Sequence, residues 1–338
     1  LNRKTIKPRV CGALFLTPIF DAMKNFAIVG AGEVAKLHAK NIQRKGKLVA
    51  VCGDDELERE TLAIEHGAKA YGSFDEMLAS EKETDVVVVC SAVGFHAEHI
   101  IKSLQAGKDV LCESPLCLTK AAAWQIIETE KYCAKRVYLI QTPSFFSPFK
   151  HQKKNEWKNH IGQIQSFQLD CTMSLNENFL SGPDGQKFPG GGLLYKPFGL
   201  VIDLLISHCG EIKTAEGFLK FDNNGASTVE NTGVAVLKMQ NGSIGTFHWS
   251  SVMSRRRQFA FVAENAVGDM EIDEPELLQM QADSPLTAKT IEGLTTKLYK
   301  AVYDDLSKAL RGKDVKFPTT LDGAKTVEAI EKIYKALR

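Results

Sequence analysis

No sign of charge dominates this chain: across 338 residues, 42 lysines and arginines face 41 acids, for a formal net charge of +1. A balance of that kind gives no reason to expect nucleic acid or a membrane surface as a partner. Long apolar runs are missing as well. The stretch Val10 to Phe20 is interrupted by Pro18 and is too short to span a bilayer. With the basic stretch Asn2 to Arg9 before it, it resembles a weak signal peptide, but no A-x-A-like cleavage site follows. Residues 1–22 therefore read as an upstream extension, Met23 as the natural start, and the folded part as cytoplasmic. The eight cysteines lie singly, without a CxxC pair, and Cys112 to Cys117 has the wrong spacing for structural zinc. Neither a metal nor a disulfide framework is expected. Internal repeats and low-complexity segments are absent too. The one dense basic run, Arg255-Arg256-Arg257, reads as a solvated strand end, with an anionic ligand or partner subunit as the alternative.

What is present is the composition of a globular protein, 44% hydrophobic and 25% charged, over a length that suits two domains. From Asn25 short apolar runs alternate with amphipathic stretches, the pattern of βαβ units and a parallel sheet. Phe26–Val29, Leu48–Cys52, Asp85–Cys90, Asp109–Cys112 and Val137–Gln141 read as strands, with helices between them. Past Ser147-Pro148 the runs alternate with period two. Gln163–Thr172, Ala215–Phe221, Thr232–Met239, Ser243–Ser251 and Phe259–Ala263 read as strands, and Asn241-Gly242 is a hairpin signal. Helices are expected over Leu194–Ser207, Ile291–Arg311 and Leu321–Leu337. The fold class is α/β, with a Rossmann dinucleotide-binding domain over 23–143. A C-terminal α/β domain with a large, mainly antiparallel sheet follows over 144–338.

Gly30-Ala31-Gly32-Glu33-Val34-Ala35 follows the first strand and opens a helix. Gly30 permits a tight turn, Gly32 lets the backbone approach a pyrophosphate, and the helix N-terminus offers amide donors. Gly30, Ala31, Gly32, Glu33 and Val34 are thus candidate cofactor residues. The second strand should end in an acid that grips the adenosine ribose. Gly53 takes the commonest acidic slot and Asp54-Asp55 follows. Two carboxylates with no arginine nearby favour NAD, with NADP the lesser alternative.

Gly107-Lys108-Asp109-Val110-Leu111-Cys112-Glu113-Ser114-Pro115 resembles the G-K-x-V-x-x-E-K-P segment of the glucose–fructose oxidoreductase / inositol dehydrogenase family. The similarity runs from Lys24 to the C-terminus. It includes Ser91-x-x-x-x-His96-x-Glu98, Gly190-Gly191-Gly192 with Asp203, and Gly242 followed by Gly245. The resemblance implies hydride transfer between a nicotinamide and a sugar or cyclitol-like hydroxyl or carbonyl. It also implies that Ser91, His96 and Glu113 lie near the cofactor, and that the chain forms a homodimer or homotetramer.

The sequence departs from that family where the chemistry should be. Ser114 stands at the E-K-P lysine, Lys196 at the catalytic aspartate, Leu200 at the histidine, and Phe145 at an arginine common after the last Rossmann strand. An ammonium has left position 114 and one has appeared at 196. Positions 196 and 200 are four apart, so on a helix they share the face that the family turns to substrate. A lysine desolvated there can act as acid or base. The catalytic candidates are therefore Lys196 and Ser114. A surface position for Lys196, a dinucleotide-binding protein without turnover, and a redox-assisted sugar-modifying enzyme that retains NAD are the alternatives.

Overall fold

The computed structural model describes residues 23–141, 162–175, 182, 186, 190–221, 227–252, 256–271 and 288–337. Residues 1–22, Phe145 and Arg255, among those singled out above, lie outside the described residues. Six short apolar segments of the first half pair into one sheet. They are β1 (Lys24–Val29), β2 (Gly46–Cys52), β3 (Lys69–Tyr71), β4 (Val86–Val89), β5 (Asp109–Cys112) and β6 (Val137–Leu139). Their order is β3-β2-β1-β4-β5-β6 and every pairing is parallel. Parallel neighbours need crossovers, which α1 (Glu33–Ile42), α2 (Glu56–His66), α3 (Phe74–Ser80), α4 (Val93–Gln105) and α5 (Lys120–Cys133) supply. With helices on both faces, Ile28 and all of Val86–Val89 lose their whole surface to the core. The strand order reverses between β1 and β4, which opens a crevice at their carboxyl ends.

The second sheet is built from β7 (Ile164–Thr172), β8 (Ile212–Phe221), β9 (Glu230–Met239), β10 (Ile244–Ser250), β11 (Arg256–Ala263) and β12 (Val267–Glu271). The order is β12-β11-β7-β10-β9-β8. Only β7–β10 is parallel, so the sheet is mainly antiparallel. Asn241-Gly242 makes the expected β9–β10 hairpin, with Gly242 at φ +92°. Leu169, Leu237, Phe247 and Trp249 are buried on the inner face, in one core with residues of α6 (Gly199–Cys209) and α8 (Thr320–Ala336).

The last helices tie the two halves together. Leu298, Tyr299, Val302, Tyr303 and Leu306 of α7 (Ala288–Ala309) share a core with Phe26, Ile28 and Val88 of the parallel sheet. Helix α8 starts at a capping box made by Thr319 and Asp322. It gives Ala324 and Val327 to the first half's core and Ile330 and Ile333 to the second's. Residues of α7 and α8 thus complete the cores on the two faces of the parallel sheet. The helix expected from Leu194 begins only at Gly199, and residues 193–197 form a turn. Pro197 accounts for the difference, because its ring disfavours the helical region for Lys196.

Candidate active site at the carboxyl ends of the parallel strands

The turn after β1 is fixed by Gly30, at φ +102°, where a Cβ would lie 2.5 Å from the Cys90 carbonyl oxygen. Its amide donates to Cys52 O at 2.8 Å, stitching the turn to β2. Gly32 is the N-cap of α1 and carries no side-chain cap. By contrast, α2, α3 and α5 are capped by Asp55, Ser73 and Thr119. A Cβ on Gly32 would meet nothing within 4 Å. Uncapped amides, a helix N-terminus and open space over Gly32 together fit a dinucleotide pyrophosphate. Ala31 is buried, Val34 is half-buried, and Glu33 is exposed and pairs with Lys36 in the first turn.

The end of β2 carries two further features. Asp55 accepts the Glu58 amide at 2.9 Å as the α2 cap, so one of its carboxylate oxygens already serves the helix. Secondly, an arginine is nearby after all. Arg59 folds back from α2 and donates from its guanidinium to the carbonyls of Gly53 (3.2 Å) and Asp54 (3.4 Å). It is the fourth residue of α2, one helical turn from the strand end, and its Nε is buried without a partner. Gly53 is required locally, since a Cβ there would lie 2.9 Å from Ala31 Cβ.

Across the crevice, Ser91 follows β4 and its hydroxyl lies 2.9 Å from His99 Nδ1. Burial pushes His99 down to about 4, so that ring is neutral at pH 7. His96 is buried in α4 and ties two strand ends, with Nε2 2.8 Å from Ser91 O and Nδ1 2.9 Å from Pro115 O. Two carbonyls favour the imidazolium, but burial outweighs them and pushes the group down. The neutral ring then donates to one carbonyl at a time. Glu113 follows β5, and its carboxylate accepts from His38 Nε2 (2.9 Å) and Tyr299 Oη (2.6 Å). Burial opposes its charge, but these donors and the nearby Lys196 hold it below the usual carboxylate range. Ser114 is half-buried beside it.

Lys196 does not share a helix face with Leu200, because it belongs to the turn before α6. The turn nevertheless delivers it to the crevice, where its ammonium acts electrostatically on Glu113, His96 and Cys90. The turn itself is held by buried polar groups. Leu193 N donates to Glu230 Oε1 (3.2 Å) and Leu194 N to Tyr334 Oη (2.9 Å), while Tyr334 and Trp249 also donate to Glu230. Burial raises the Glu230 pKa, and those donors offset part of the rise. Phe198 is fully buried and Leu200 is 7% exposed, so neither brings a polar atom to the crevice. His38, His99, Arg59, Tyr299 and Glu230 were not expected from the sequence. Only His38 left a local trace, three residues after the sheet-facing Ala35 on α1. No group of three or more metal-ligating side chains occurs among the described residues.

Comparison with known proteins agrees with this architecture. Residues 24–140 match the oxidoreductase family model GFO/IDH/MocA, NAD-binding Rossmann fold, and residues 157–267 match the GFO/IDH/MocA C-terminal domain. D-glucoside 3-dehydrogenase of Escherichia coli is 35% identical over 112 residues, 32% of this chain and 32% of that protein. Inositol 2-dehydrogenase of Acidothermus cellulolyticus is 28% identical over 131 residues, 38% of each chain. The chain therefore matches about a third of the length of these curated relatives. The WlbA dehydrogenase of Bordetella pertussis, solved with NADH and UDP-GlcNAcA, superposes with a TM-score of 0.78 at 18% identity. That likeness covers 94% of this chain and 96% of the other, and bears on the fold alone. The Rossmann sheet, the second mixed sheet and both domain matches place the chain in the GFO/IDH/MocA oxidoreductase family.

Proposed function

We propose that the protein is an NAD-dependent oxidoreductase that moves a hydride between the nicotinamide and a sugar or cyclitol-like hydroxyl or carbonyl. The reading is supported by Glu113 and His96 standing after β5 and on α4 beside the Gly30–Gly32 turn, with Lys196 near enough for its charge to act on both. When bound, the dinucleotide supplies the nicotinamide carbon that takes or gives the hydride. The amides of Ala31 to Val34 would hold its pyrophosphate and Asp54 its adenosine ribose. Ser91 and His96 shape the wall of the cleft. Lys196, assisted by Ser114, would hold the reacting hydroxyl and take or return its proton at Nζ. Formation of NADH from NAD with a panel of sugars and cyclitols tests the reading. Its absence across a broad panel, with cofactor binding intact, would sink it. The substitutions Ser114, Lys196 and Leu200 at the family's catalytic positions favour, as a second reading, a protein that binds NAD without net turnover.

Cofactor choice rests on Asp54. NAD should bind more tightly than NADP in calorimetric titration, because the Asp54 carboxylate would repel a 2′-phosphate. Asp54→Ala should narrow the gap, since it removes that repulsion while the Arg59 guanidinium stays at the strand end. Equal or tighter NADP binding by the unaltered protein would refute the assignment.

A homodimer through the second sheet is part of the proposal. The outer face exposes Phe218, Val234, Val236 and Val262, and the register sets Val234 against both Phe218 and His248. Val236→Glu should yield monomers in sedimentation or light scattering, with the thermal midpoint little changed. An unaltered oligomer would exclude this face. No disulfide joins the described cysteines, in keeping with the reducing, cytoplasmic setting proposed for the protein. No helix among the described residues is long and apolar enough to cross a membrane.

A further inference from the structure

Behind the crevice, Glu113 is reached from two helices that are far away in the chain. His38 comes from α1, 75 residues earlier, and Tyr299 from α7, 186 residues later. Both bonds end on the same oxygen, Oε1. A carboxylate only accepts, so His38 donates from Nε2 and Tyr299 from its hydroxyl. The other ring nitrogen of His38, Nδ1, lies 2.9 Å from Tyr303 Oη, so the imidazole is held from both sides. The donors from the two helices thus meet on Glu113.

We propose that His38 and Tyr299 are positioning residues of the active site, holding Glu113 ionised and in one orientation opposite Lys196. The inference rests on the reading that Glu113 and Lys196 belong to the cofactor and substrate cleft. His38 and Tyr303 are buried, and Glu113 keeps 15% of its side-chain surface open. Burial alone would neutralise such a carboxyl. The two donors and Lys196 reverse that, and the group stays charged below the usual carboxylate range. The titratable groups facing Glu113 are His38, Tyr299 and Tyr303 from the helices and Lys196 ahead of α6. Cys90 and His96 lie beyond β4, and Cys112 on its own strand.

The sign of the pH effect follows. What the charged Glu113 contributes is present above its depressed pKa and is lost as pH falls through it. Removing a donor lets burial raise that pKa, so the loss starts at higher pH. NADH binding to the full chain, followed by cofactor fluorescence against pH, reads this without needing a substrate. Tyr299→Phe keeps the ring in the core and should move the acid limb of binding up by about one unit. His38→Leu should move it at least as far, and His38→Gln, which retains a donor, should restore most of the shift. Glu113→Gln should weaken binding and remove the limb. An unmoved limb in Tyr299→Phe and His38→Leu, while Glu113→Gln alters it, overturns the positioning role. Should His38→Leu fail to fold, Tyr299→Phe decides alone. Unchanged binding and pH profile in Glu113→Gln would instead defeat the reading of the cleft, and the proposal with it.

Discussion

Replacing Lys196 by methionine should lower turnover by about 100- to 10,000-fold, the usual cost of one positioned proton-transfer group. NADH affinity should stay within a few-fold of the unaltered protein, because the expected cofactor contacts lie in the first half of the chain, at the ends of β1, β2, β4 and β5, rather than on this turn. Methionine keeps the length and the apolar stem of lysine, so the packing beside Pro197 is retained. Glu230 and Tyr334 bond the amides of Leu193 and Leu194, and methionine at 196 leaves those bonds in place. An unchanged thermal melt would show that a loss of rate does not come from a collapsed fold. Ser114→Lys, which restores the family's lysine, should not add activity, since a second ammonium would share the field of one carboxylate. Unchanged turnover in Lys196→Met would end the idea that the ammonium has moved from 114 to 196.

The parallel sheet was legible in the sequence because its central strands are apolar on both faces and its helices carry ordinary caps and glycine stops. Val86-Val87-Val88-Val89 can hardly be anything but a buried strand. What escaped was short or exposed. β3 is three residues with no buried position, and α3 is a seven-residue helix. α3 did leave a signal, Ser73 three residues before Glu76, which is the spacing of a capping box. β12 was hidden because Val267 is 80% exposed and Gly268, Asp269 and Glu271 have low strand preference. The start of α6 was misplaced because Leu193 to Leu205 is almost uniformly apolar, so periodicity carries no boundary there. Pro197 held the information, since it excludes Lys196 from the helix interior.

The site divides in the same way. The Gly30–Gly32 turn is a local event, set by residues adjacent in the chain, and the sequence shows it. Glu113 with His38 and Tyr299 is a tertiary event, assembled over 75 and 186 residues, and no spacing rule reaches that far. Arg59 lies between these cases. It is close in sequence to Asp54, but its approach depends on the helix turning it back over the strand end. The expectation of a strand end without an arginine nearby missed Arg59 for that reason, and the cap that Asp55 makes for α2 is a local event of the first kind.

The two glycines of the first turn should respond to alanine in opposite ways. Gly30→Ala should destabilise the fold. Its φ of +102° lies in a region that side chains with a Cβ rarely enter, and the new methyl would sit 2.5 Å from a backbone oxygen of Cys90. Backbone strain of this kind costs about 1–3 kcal/mol before the clash is counted. The clash is with main chain held by the β1–β4 pairing, so it cannot be relieved by rotating a side chain. A fall in thermal midpoint of roughly 2–4 °C per kcal/mol is expected, hence several degrees at least. Gly32→Ala should leave the melt almost unchanged, since its φ is −68° and no atom lies within 4 Å of the added methyl. That empty volume is where a pyrophosphate would approach the amides of α1, so NADH binding should fall by an order of magnitude or more. Melts and NADH titrations of the two variants separate the roles: one glycine is required by the fold, the other by the ligand. Normal NADH binding in a folded Gly32→Ala protein would show that the phosphates do not lie over this turn.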